Sequence, residues 1–138
     1  MSRRDAAALL GCIATLSAVI VAIRLAFPSH PDYMGHFSAG AGATMAFLVT
    51  VVAFTQWTPH LVAGLLLLCV GMGVGTEATI FRLAAFDRMD FALQSAGAAL
   101  AAMVLLTMGT PLRNALAFLA GMGFLFLGFI LVFGVAGA

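Results

Sequence analysis

Hydrophobic residues fall along this chain in long blocks rather than in alternation or in narrow stripes. Five blocks stand out, about 6–27, 34–56, 61–83, 91–109 and 115–136. Each is about the length a helix needs to cross a bilayer, roughly 20 residues. The breaks between them carry Pro28-Ser29-His30-Pro31, Trp57-Thr58-Pro59, an Arg- and Asp-containing link, and Thr110-Pro111 with Arg113 and Asn114. The blocks are too long, and too uniformly apolar, for the alternating strands of a membrane β-barrel. The pattern therefore predicts an all-α membrane protein, about five transmembrane helices in a compact up-down bundle, forming one transmembrane domain over residues 1–138.

Composition sharpens that picture. The chain has 138 residues, 64% hydrophobic and only 8% charged, against roughly 25% charged in soluble domains. Lipid must be the solvent for most of such a chain, and the connections are too short to hold a soluble catalytic domain. A net charge of +1 and the absence of lysine argue against nucleic acid as a partner. Cys12 and Cys69 lie inside apolar blocks and read as packing residues. Arg3 and Arg4 precede the first block, which runs on without a small-residue cleavage site, so it reads as an uncleaved first helix. Arg3 and Arg4 also place the N-terminus in the cytoplasm, as does Arg113, while Arg24, Arg82 and Arg88 fall on the other side.

Up-down threading would gather the polar residues at one end. The end of the first helix, the start of the second, the end of the third and the start of the fourth share a membrane face. That face collects Arg24, His30, Asp32, His36, Glu77, Arg82, Asp87, Arg88, Asp90 and Gln94, including four of the five acidic residues. Asp32 and His36 are four apart, as are Asp90 and Gln94, so each pair stacks on one helix face. The series Asp87, Asp90, Gln94, Gly97, Ala101 draws a stripe that turns from acidic to small. A carboxylate at Glu77, about two turns before the end of its block, must be shallow, protonated or paired. Small residues mark close helix contacts, here Gly35, Gly40, Gly71, Gly75 and Gly97, which predicts a core of the second, third and fourth helices. The Phe- and Leu-rich fifth helix reads as lipid-facing or as a docking surface.

The segments Asp32-Tyr33-Met34-Gly35-His36-Phe37, Gly75-Thr76-Glu77, and Asp87-Arg88-Met89-Asp90 with Gln94 and Gly97 resemble the VanZ-like family of bacterial membrane proteins over about residues 30–100. Tyr33 stands where that family often has a basic residue, and Gln94 where it commonly has Asn. The resemblance implies a multi-pass protein of the bacterial cytoplasmic (inner) membrane, part of the cell envelope, with its polar cluster facing outward. It also implies a role around cell-surface lipids or glycans, and supplies no reaction.

The candidate site is thus Asp32, His36, Glu77, Arg82, Asp87, Asp90 and Gln94. Carboxylates with a histidine suit a cationic head group or general acid–base chemistry. A divalent metal, held by Asp32, His36, Glu77 and Asp90, is a further option; no other cofactor is expected. Nothing resembles HExxH, CxxC or a nucleophile motif, so binding is favoured over catalysis. Membrane lipids are the expected partners. The competing expectations are an accessory subunit packed against a larger membrane complex, a homo-oligomer, proton or ion translocation, and a polar lock that only clamps the helices.

Overall fold

The computed structural model describes residues 3–55, 58–79, 87–107 and 115–135, with side chains at all of these except 52, 72, 76–79, 106, 107 and 135. Five helices follow in chain order, α1 (Arg3–Ala26), α2 (Pro31–Phe54), α3 (Pro59–Thr79), α4 (Arg88–Thr107) and α5 (Ala115–Val135), with no strand among the described residues. Three stretches, Arg3–Ala26, Pro31–Val51 and Ala115–Gly134, are long and apolar enough to cross a membrane.

Several helices begin earlier than the hydrophobic blocks. α2 starts at Pro31 rather than 34, and α3 at Pro59 rather than 61. Proline is well suited to the first turn, where its missing N–H has no intrahelical partner to lose. α4 starts at Arg88 rather than 91 because Asp87 caps it: Oδ1 of Asp87 accepts the Met89 N–H at 2.7 Å. The early starts draw Asp32 and Asp90 into first turns. Carboxylates are favourable there, beside unpaired N–H groups and the positive end of the helix dipole.

The architecture is a hub. α2 packs on all four other helices, most extensively on α5 and α4. It is 67% buried over its spanning window, against 22% for α1 and for α5. It is also the least hydropathic of the three spans. The two facts agree, since a helix surrounded by helices has no need of a lipid-compatible surface. α1 contributes one seam, Leu9, Cys12, Leu16, Ile20 and Ile23, at helical spacing. Its Leu10, Val21 and Leu25 stay exposed.

The α2–α5 contact changes the expected core. Gly35 faces Gly128 and Val132, while Gly42 faces Gly121 and Leu125, so the two helices run antiparallel. A Cβ at Gly128 would lie 2.6 Å from the Ala39 nitrogen, and one at Gly121 2.7 Å from the Ala46 nitrogen. Backbone approach this close needs glycine, and in lipid it is a main source of helix affinity. α5 is therefore no mere lipid-facing strut, although its opposite face exposes Leu119, Phe126 and Ile130.

α2 and α4 cross at Gly40 and Gly97, where a Cβ would strike the Gln94 and Phe37 carbonyls respectively. Gly35, Gly40 and Gly97 thus sit in helix contacts. Gly71 and Gly75 do not: a Cβ at either would meet nothing within 4 Å among the described residues. The GxxxG on α3 faces away from these contacts, and α3 packs far less extensively than α4 or α5.

Candidate functional site

The polar end of the bundle is built on first turns. His36, in the second turn of α2, is buried against α4, and its Nε2 lies 3.3 Å from Oδ2 of Asp90. The two side chains are 9% and 16% exposed, so the pair is largely shielded from solvent. Oδ1 of Asp90 is also buried and has no hydrogen-bond partner. One turn further along both helices, Gly40 meets the Gln94 backbone. Both contacts advance by four residues, so α2 and α4 run parallel. Of the stripe seen in the sequence, four members face inward: Asp90 meets His36, Gln94 meets Gly40 and Gly73, Gly97 meets Phe37, and Ala101 is fully buried, whereas Asp87 is exposed at the helix start.

Asp32 pairs with His30 on its own segment, Nδ1 to Oδ1 at 3.9 Å. The His30 ring stacks on Tyr33 at 4.7 Å, and Phe27 meets Tyr33 edge-on at 5.4 Å. Asp32, Asp87 and Asp90 all act electrostatically on the Tyr33 hydroxyl, which puts the starts of α2 and α4 together. Arg24, at the end of α1, donates from Nη1 to the Pro28 carbonyl at this same end. Asp87 is spent largely on capping α4.

α3 reaches the site through Gly73. A side chain there would occupy the place of the Gln94 amide, whose Nε2 would lie 2.5 Å from the added Cβ. Lower down, the Cys69 thiol lies beside the Thr44 hydroxyl. Cys69 with Thr44 and Gly73 with Gln94, level with Gly40, set α3 antiparallel to α2. The Glu77 backbone is one turn beyond Gly73, toward the end that holds His36; its side chain, and Arg82 altogether, lie outside the described residues. Among the described residues no three His, Cys, Asp or Glu side chains converge as metal ligands.

Sequence reasoning missed a cleft of about 540 Å³ that begins at this polar end. α2 forms its floor, α3 and α4 one wall and α5 the other. His36 and Gln94 stand at its polar end, and Thr44, Cys69 and Ser95 follow. The remainder is apolar but for Thr50 at the far end, whose hydroxyl donates back to the Ala46 carbonyl at 2.8 Å, with Ala43, Phe47, Val70, Phe129 and Val132 among the lining. The Ser95 hydroxyl is buried without a hydrogen bond; that of Thr44 has only the neighbouring thiol, a weak partner. A cleft between helices has no signature in one-dimensional pattern. The glycine seam that forms one side did leave a trace, since Gly35 and Gly42 are seven apart, as are Gly121 and Gly128.

Fold and cleft together define a small protein, helical in its described elements, with three helices long and apolar enough to cross a membrane and a polar-ended interhelical groove. No family model matches the chain, and no curated protein or solved structure matches it.

Proposed function

We propose that this chain is a five-span, VanZ-like protein of the bacterial cytoplasmic membrane that binds a membrane lipid or a lipid-linked glycan component. The observation that carries the reading is the cleft, whose polar end is His36 and Gln94 and whose body is apolar. A lipid has that same division. Its volume falls within the roughly 300–1,000 Å³ of small-molecule sites. The parallel pairing of α2 with α4, and their antiparallel pairing with α3, support five alternating crossings. With the N-terminus in the cytoplasm, the His36–Asp90 end faces outward. The head-group end carries Asp32, Asp87 and Asp90 around Tyr33, alongside Arg24 and Arg88, and its carboxylates suit an amine-bearing group. Binding, with no reaction attached, is the function assigned.

Native mass spectrometry of the detergent-purified protein tests this. The wild type should retain a lipid of defined mass, and Asp90→Asn and His36→Gln should lose it while remaining in the membrane. Loss of the protein itself in both variants would make the cluster a structural lock. Retention in both would end the site reading.

The accessory-subunit reading has one observation in its favour, the exposed aromatic face of α5, where Phe129 and Phe133 stack at 5.7 Å. A stoichiometric protein partner surviving purification would favour it. Ion translocation is less well supported. On the C-terminal side of His36 in α2 and of Asp90 in α4, the described residues include no ionisable carboxylate, imidazole or guanidinium group.

A further inference from the structure

The cleft has an open side. α3 and α5 both pack on α2, yet no extensive contact joins them to one another among the described residues. Phe118, Phe129 and Phe133 line the cleft and are also 39%, 52% and 49% exposed. Side chains that do both mark a rim, so the cleft opens sideways between α3 and α5. The surfaces flanking the rim are themselves lipid-compatible, with Leu67 and Leu68 on α3 and Phe126 and Ile130 on α5.

Its length is also informative. The α2 floor runs from His36 to Thr50, about 21 Å at roughly 1.5 Å per residue. One leaflet supplies about 15 Å, half of a hydrocarbon core of roughly 30 Å. A chain anchored at the His36 end therefore runs past the bilayer midplane. Spread over that length, a volume of about 540 Å³ leaves a slender channel, lined by Gly73 and Gln94 on one side and by Leu125 and Val132 on the other.

From this geometry we infer that the cleft takes one extended hydrocarbon chain of a membrane lipid, which enters sideways from the bilayer between α3 and α5. The inference deepens the lipid reading of the same cleft and rests on it for the position of the head group. Ala43 and Phe47 are the diagnostic residues. They lie on the central helix and line the cleft, so a lipid chain that labels them is inside it.

The test is photolabelling in vesicles of phosphatidylethanolamine and phosphatidylglycerol containing a fatty alcohol with a diazirine near its methyl end. Adducts on Phe47 should appear in the wild type, fall at least tenfold in Ala43→Trp, where the indole fills the cleft, and rise in Phe129→Ala, where the rim is widened. Adducts confined to outward residues such as Leu67, Leu68, Phe126 and Ile130 overturn the inference, and need no variant to fold. If the native lipid is retained and lost on Asp90→Asn while Phe47 stays unlabelled, head-group binding stands and the threaded chain falls. If Phe47 is labelled but no native lipid is retained, the cleft accepts a chain and the lipid-binding function is what fails.

Discussion

His36 on α2 and Asp90 on α4 meet at 3.3 Å, fifty-four residues apart in sequence, in a place where both side chains are largely buried. Removing one member of a buried pair leaves the other without its partner in a poor solvent for charge, at a cost of about 3–5 kcal/mol. Asp90→Ala should therefore lower the melting temperature in detergent more than Asp90→Asn, whose amide oxygen still accepts from the imidazole. A double-mutant cycle of His36→Ala with Asp90→Ala should show a coupling of about 0.5–3 kcal/mol. Additivity of the two changes would mean that the contact contributes nothing to stability.

The α2–α5 seam gives a sharp steric contrast. Gly42→Val and Gly128→Val push a branched side chain into backbone and should destabilise by about 1–3 kcal/mol or more. Gly123→Val, on the other face of α5, meets nothing within 4 Å among the described residues and should be close to neutral. Thermal unfolding monitored in detergent would compare them. Equal tolerance of all three substitutions would mean that α5 is not held by this seam.

Chain direction is checked by single-cysteine accessibility. In a Cys12→Ala, Cys69→Ala background, His30→Cys and Arg88→Cys should label from one side of the membrane and His60→Cys from the other. The starts of α2 and α4 lie together, whereas α3 runs the opposite way. Labelling of the first two from opposite sides would break up the polar end altogether.

The cap on α4 is a local feature with its own test. Asp87→Ala removes the acceptor for the Met89 N–H and should cost about 1 kcal/mol. Asp87→Asn, which keeps an oxygen in place, should recover most of that loss in the same unfolding assay. An unchanged melting temperature for Asp87→Ala would show that the first turn is held by packing alone.

How much of this was legible beforehand follows from the range of each interaction. The five helices, and the inward stripe through Asp90, Gln94 and Gly97, are properties of consecutive residues and of the 3.6-residue repeat, and the chain alone determined them. The helix starts at Pro31, Pro59 and Arg88 are also local, but proline chemistry and the Asp87 cap moved them outside the hydrophobic blocks.

Only the tertiary structure decided which faces meet. Small residues on α3 and on α5 look alike in sequence, yet Gly121 and Gly128 are pressed on α2 while Gly71 faces open space among the described residues. Asp32 stands four residues before His36, but the structure sets it against His30 and brings Asp90 to His36 from another helix. The cleft is the extreme case, since it exists because α3 and α5 both lean on α2 without closing on each other. Helical periodicity assigns each residue to a face; the azimuth and spacing of neighbouring helices, set by the closest backbone approach that glycine permits, determine what that face touches.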